Sequence, residues 1–232
     1  MKKLFYILLF VPLFFISSCE EDNTEIEGCI SLLACNYNSE ATIDNNSCEY
    51  PEEGFDCDGN ITEYLLGMEA EGGIIFYLDE SGEHGLVAAM EDLPETYEWG
   101  CYQQVVSGAD GTSVGTGYQN TMDIVNDGCS NPNGGVTAAQ AALDAVINGY
   151  SDWYLPSRYE LEEMYNTIGQ GSPNGNIGGF SQNQTVGIPV VGKYWSSSES
   201  YSLYAWGKDF TFGFTDHYYR YSSFRVRPIR SF

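Results

Sequence analysis

The chain has 232 residues, with 33 acidic side chains against 9 Lys and Arg and a formal charge of −24. Phosphate binding needs clustered cations, so this balance excludes nucleic acid as a partner. With His84 and His217 as its two histidines, the chain also lacks the material for a histidine-rich zinc centre.

Lys2 and Lys3 precede an apolar run from Leu4 to Ile16, broken only by Pro12. Those thirteen residues fall short of the roughly 20 that a membrane-spanning helix needs. The run ends in Ile16-Ser17-Ser18-Cys19, small residues before a cysteine, and so resembles a bacterial lipoprotein signal. The resemblance implies that residues 1–18 are removed and that Cys19 is lipidated, holding the protein at a lipid bilayer without crossing it. Loss of Lys2 and Lys3 would take the charge from −24 to −26. Residues 19–28 form an acidic tether, and Glu20-Glu21-Asp22-Asn23-Thr24-Glu25 resembles the export signal of surface lipoproteins. That implies an outer-membrane location facing the cell exterior.

Residues 29–60 are too few and too polar to bury an apolar core, so cross-links or metal must hold them. Beyond Cys19 the cysteines are Cys29, Cys35, Cys48, Cys57, Cys101 and Cys129, an even number in an exported chain. They are read as disulfides, in a cluster of four and a separate pair. Cys101 and Cys129 are expected to join because few other partners lie near them in sequence. The segment resembles a small cysteine-rich repeat of bacterial surface proteins. Asp56-Cys57-Asp58-Gly59-Asn60 alternates oxygen side chains around a glycine, and Asp44, Asn46 and Glu49 offer a second set. Hard oxygen ligands of this kind suit calcium, the one cofactor expected. The same residues also suit Asx-turns with solvated carboxylates, and the spacing is not that of an EF-hand.

The main domain is expected over residues 67–232. Residues 73–79 and 85–90 read as a β-hairpin around Glu80-Ser81-Gly82. A short helix is expected over 120–126. A clearer one runs from Thr137 to Ile147, with Thr137 and Gln140 as capping box and Gly149 as stop. Pro156 disfavours helix at Leu155, and Ser157 with Glu160 caps a third helix reaching Ile168. Asp152 is read as a turn or cap acceptor. Residues 169–192 read as a long loop, and short aromatic strands follow to the C-terminus. This order of elements predicts an α+β domain.

The motifs Gly72-Gly73-Ile74-Ile75-Phe76-Tyr77, Gly108-Ala109-Asp110-Gly111-Thr112, Asp152-Trp153-Tyr154-Leu155-Pro156-Ser157, Tyr194-Trp195-Ser196-Ser197-Ser198 and Val226-Arg227-Pro228-Ile229-Arg230 occur in that order. Together they resemble the Lcl C-terminal family. The resemblance implies a C-type-lectin-like scaffold of short antiparallel strands, two or three helices and long loops, used for recognition of a glycan or polyanion. The paired calcium-and-sugar motifs of sugar-binding C-type lectins are missing, with Asn131-Pro132-Asn133 a partial echo. Residues 61–232 hold 21 acids against 7 bases, which does not suit a polyanion.

Gly111-Thr112-Ser113-Val114-Gly115 fits the G-x-S-x-G nucleophile pattern, but lies in a glycine-rich run with His217 as the one later histidine. The chain is therefore expected not to be an enzyme. Its partner is expected to be a glycan or an outer-membrane protein, met through Trp206, His217, Tyr218, Tyr219 and Arg220, because aromatic side chains stack on sugars and anchor interfaces. Arg220, Arg225, Arg227 and Arg230 are expected to pair with the domain's own carboxylates.

Overall fold

The computed structural model describes residues 25–181 and 192–232. The expected signal peptide, Cys19, most of the tether and part of the 169–192 loop lie outside the described residues. The chain divides into two compact units that meet between Asn60 and Ile61.

The first unit is held by cross-links. Strand β1 (Glu27–Gly28) pairs in parallel with β2 (Ile43–Asp44). Disulfides join Cys29 to Cys48 and Cys35 to Cys57, 19 and 22 residues apart. Cys29 and Ala34 are the buried apolar residues among those described here, while Leu32 and Leu33 are exposed. Two bridges closing loops of this length restrict the unfolded chain by about 3 kcal/mol each, which stands in for the missing core.

The second unit is α+β, as the order of elements predicts. It takes in residues 61–66 as well, because the Tyr64 ring meets Phe232 edge-on at 4.9 Å. β3 (Glu69–Ala70), β4 (Gly73–Leu78), β5 (Gly85–Ala88) and the C-terminal β11 (Ile229–Ser231) form an antiparallel sheet in the order β11-β5-β4-β3. The β4–β5 turn closes where Asp79 Oδ1 accepts the backbone N–H groups of Ser81 and Gly82. A second sheet holds β7 (Lys193–Tyr201), β8 (Tyr204–Asp209) and β9 (Thr215–Tyr219), all antiparallel. A small ribbon pairs β6 (Tyr97–Glu98) with β10 (Ser223–Phe224).

Helix α1 spans Gly117–Asn126, longer than expected at its N-terminus. Helix α2 is only Ala138–Leu143. Thr137 caps it by accepting the Gln140 N–H, but the Gln140 side chain donates to Asp144 and leaves the reciprocal bond unmade. Helix α3 spans Arg158–Thr167, and both halves of its capping box form. Just before it, Trp153, Tyr154 and Leu155 each enter a different apolar cluster. Tyr154 also exchanges two backbone hydrogen bonds with Ile229 of β11, at 2.8 and 2.9 Å. The Trp-Tyr-Leu-Pro-Ser junction is thus where three parts of the core meet.

The C-terminal arginines pair inside the protein. Arg220 is fully buried, forms an ion pair with Glu199 at 2.8 Å and lies over the Trp99 ring at 4.3 Å. It also donates to the carbonyls of Cys101, Gln104, Tyr201 and Tyr204. Arg227 bonds Asp92 at 2.7 Å and the carbonyls of Ala89, Met90 and Gly178. Arg225 reaches the same Asp92 at 3.4 Å. Arg230 holds both carboxylate oxygens of Asp152, at 2.8 and 3.1 Å. Asp152 is therefore an ion-pair partner rather than a cap, and Arg230 holds its carboxyl below the usual 3.8.

Removing one member of a buried ion pair leaves the other charge uncompensated and costs about 3–5 kcal/mol. Arg220→Met is expected to lower unfolding free energy by that amount in urea titration. Adding Glu199→Gln should recover part of the loss, and no recovery would mean that the carbonyl contacts carry the effect.

A solvent-facing aromatic strip as candidate functional site

The strip arises from strand alternation. Successive side chains of a strand point to opposite faces, so register decides which aromatics share a surface. Across β8 and β9, Tyr204 pairs with Tyr219, Trp206 with His217 and Lys208 with Thr215. The intervening pair, Ala205 with Tyr218, faces the core, where Tyr218 meets Trp195 and Phe224.

Helix α3 covers one end of the outer face. There Lys208 is buried, bonds Glu162 at 2.8 Å and sits 4.2 Å from the centre of the Tyr165 ring. Beyond the helix the face opens: His217, Tyr219 and Tyr221 are exposed, while Tyr102, Tyr204 and Trp206 are half-buried. Ring contacts run without interruption from Tyr102 to Tyr221 (5.0 Å), to Tyr219 (5.1 Å), to Tyr204 (4.6 Å), to His217 (5.2 Å) and to Trp206 (5.7 Å). Tyr219 and Tyr221 lie nearly parallel, 15° apart. At the far end the Arg158 guanidinium lies 3.9 Å from the centre of the Trp206 ring. Tyr201, 68% exposed, flanks His217 at 6.4 Å.

Three of the five predicted ligand residues share this strip: Trp206, His217 and Tyr219. Tyr218 and Arg220 do not. Tyr218 alternates to the inner face, where burial pushes its hydroxyl up to about 12. Arg220 has no exposed surface and is fully committed to Glu199 and backbone carbonyls. Tyr102 and Arg158 come from other parts of the chain, so local sequence did not place them here. Tyr102 follows Cys101, which is bonded to Cys129 and whose carbonyl accepts from Arg220. The disulfide and the buried arginine thus hold one end of the strip. On the strip itself, a hydrogen bond to Tyr219 raises the Tyr204 hydroxyl above the usual 10.0.

Of the residues expected to hold calcium, Asp44 and Asp56 turn carboxylate oxygens onto nearby backbone N–H groups, as in Asx-turns. Asp56 Oδ1 accepts the N–H groups of Asp58 and Asn60, and its Oδ2 accepts the Asn60 side-chain amide at 2.9 Å. These bonds, the Asn60 side chain first, hold the Asp56 carboxyl below the usual 3.8. Asp44 Oδ1 accepts the Asn46 N–H, and Glu49 is drawn to Asn36 and Cys35 through its backbone. Among the described residues no group of three or more His, Cys, Asp or Glu is placed to hold a metal ion.

Residues 111–115 are not a nucleophile elbow, which needs a strand leading into a helix. They lie in the loop that joins β6 to α1. The carbonyl of exposed Ser113 accepts from Ser157 Oγ at 2.9 Å, and Thr112 O accepts the Tyr159 N–H. Glu160 completes the attachment: Oε1 accepts the Gly115 N–H at 2.7 Å and Oε2 the Ser157 N–H at 2.6 Å. Burial pushes the Glu160 carboxyl above the usual 4.5, and these backbone donors pull against that rise.

The class of protein this defines is a small α+β domain with an aromatic outer sheet face. A model of the Lcl C-terminal domain matches residues 93–230, more than half of the chain, and the protein belongs to that family. No curated protein matches it. A solved structure that it resembles is a fimbrial protein from Bacteroides ovatus ATCC 8483, at 13% identity and a TM-score of 0.42. That match covers 81% of this chain and 49% of the other, so the chain spans about half of that protein's length. At this TM-score the likeness carries no argument about function.

Two outcomes are expected for Glu160. Because its folded-state value is raised, its contribution to stability is full below pH 4.5 and is lost as pH rises through the higher folded value. Glu160→Gln would remove that dependence. It would also set an amide NH2 against the Gly115 or Ser157 N–H, costing about 1–3 kcal/mol. Unfolding titrations at several pH values read both effects.

Proposed function

We propose that this protein is a surface-associated, non-catalytic binding module that takes a glycan through its aromatic strip. The observation that carries the reading is the unbroken run of ring contacts from Tyr102 to Trp206, which borders the outer sheet face and exposes His217, Tyr219 and Tyr221. Aromatic faces bury large apolar area with little loss of side-chain freedom, and the apolar faces of sugar rings match them. Exposed aromatics in one contiguous patch mark interaction surfaces more often than scattered ones do. The hydroxyls of Tyr204 and Tyr219 and the Arg158 guanidinium would supply the polar contacts that orient a sugar.

A lectin-like role agrees with membership of the family and with the resemblance drawn from the sequence. In the same reading Cys19 carries the lipid that anchors the protein to the outer membrane, with residues 25–232 facing the cell exterior. An outer-membrane protein as partner would use the same aromatic surface, and the test separates the two.

Purified protein on a glycan array is expected to bind, and Trp206→Ala and Tyr219→Ala should each weaken binding by about 2 kcal/mol, roughly 30-fold. Tyr219 is exposed, so its variant's unfolding midpoint should change little. Trp206 is half-buried under Arg158, and near-ultraviolet circular dichroism checks that its variant is folded. Binding that survives both substitutions would remove the strip as the site. Failure on the array, with a stoichiometric membrane protein recovered from solubilised envelopes and lost in Trp206→Ala, would make that protein the partner.

A further inference from the structure

A different part of the second unit carries a buried carboxyl group with no cation paired to it. Glu98 of β6 is 6% exposed, and its Oε1 accepts the Asn133 side-chain amide at 2.5 Å. Its Oε2 is buried with no hydrogen-bond partner, and so is Oδ1 of Asn131, two residues from Asn133. Residues 61–232 hold seven Lys and Arg: six lie in the contacts described above, Lys193 sits 4.6 Å from the centre of the Tyr218 ring, and none forms an ion pair with Glu98. A buried carboxylate oxygen without a partner is costly, and such groups are normally met by protein, water or an ion.

The loop opposite is built to present oxygen. Asn131 turns its amide nitrogen away, donating to Val136 O at 2.8 Å and Gly135 O at 3.4 Å, which leaves Oδ1 free of its own loop. Asn131 O accepts the Gly134 N–H, closing a turn, and both Gly134 and Gly135 have positive φ (84° and 82°). The base of the loop is fixed by the Cys101–Cys129 disulfide and by the Cys101 N–H bond to Ser130 O at 3.2 Å. A side chain at Gly100 would come within 3.4 Å of Asn131 Oδ1, so β6 and the loop lie close together here.

We propose that Glu98 Oε2 and Asn131 Oδ1 hold a divalent cation, calcium by their chemistry, against the 130–136 loop. Both donors are hard oxygens, one charged and one neutral, and backbone carbonyls and water complete such a shell. With one carboxylate the affinity belongs to the weak extracellular range, a Kd of about 10⁻⁴–10⁻³ M. The cation would tie the loop to β6 and neutralise Glu98. This site is separate from residues 44–60 and from the aromatic strip, and it stands whether or not the strip binds a glycan.

Terbium as a calcium stand-in tests it, because Trp99 adjoins Glu98 in sequence while residues 25–60 contain no tryptophan. The full chain, stripped with chelator, is titrated with terbium under tryptophan-selective excitation, and calcium is then added to displace the ion. Sensitised emission that calcium removes is the expected result. Glu98→Gln should lose at least tenfold in affinity, and Asn131→Asp, which adds a second charge, should bind more tightly. Near-ultraviolet circular dichroism checks that each variant is folded. Absence of sensitised emission, or equal emission from wild type and Glu98→Gln, would overturn the proposal and leave an ordered water as the partner of Glu98.

Discussion

Arg220, Arg227 and Arg230 carry their charge into the interior of the second unit, and oxygen atoms from distant parts of the chain must meet it there. A guanidinium offers five donors in a rigid plane and does not deprotonate, so one side chain can hold several acceptors at once. Arg220 gathers Cys101, Gln104, Tyr201 and Tyr204 around itself and Glu199. Arg227 does the same for Ala89, Met90, Gly178 and Asp92. Much of this backbone is irregular, and irregular backbone can be buried only where its polar groups find partners. The arginines supply those partners to the backbone of residues 89, 90, 101, 104, 178, 201 and 204.

The outer face of the β7–β8–β9 sheet depends on this arrangement at one remove. Arg220 follows β9 directly and anchors its end, while the same side chain holds Cys101 and so places Tyr102. Inside, the Trp195 indole donates to Tyr97 O and the Trp99 indole to Ser196 O, each at 2.8 Å, locking β7 to the β6 segment. The aromatic strip is therefore carried on a rigid support. A preformed surface of this kind loses little conformational freedom when something docks on it.

Much of the fold was legible in the sequence because it rests on local rules. Ser157 with Glu160, the hairpin around Glu80-Ser81-Gly82 and the order of strands and helices all follow from short-range chemistry. Thr137 misled at the other end of its helix: it caps correctly, but the chain turns after Leu143 rather than continuing to Ile147. The strip was only half legible. Trp206, His217 and Tyr219 sit at alternate positions that a strand pattern can group, but Tyr218 and Arg220 were grouped with them by proximity alone. Their inward direction follows from the β8–β9 register and from Glu199, neither of which short-range pattern reveals. Tyr102 and Arg158 reach the strip only through tertiary packing. The acidic turns of residues 44–60 show the opposite problem, since alternating Asp and Asn suit a metal loop and an Asx-turn equally well until the direction of each carboxylate is known.

The position of the arginines along the chain makes the fold rest on contacts between residues far apart in sequence. Residues 220–232 provide the charges that organise carbonyls from residues 89 to 104, and the last strand seals against Gly85, where Phe232 exchanges backbone hydrogen bonds at 3.1 and 3.3 Å. The second unit is thereby closed by contacts between residues more than a hundred positions apart, and a change at Arg220 or Arg227 leaves carbonyls near residues 89–104 buried without a donor. Such long-range closure makes the unit cooperative, with its two ends ordered together or not at all.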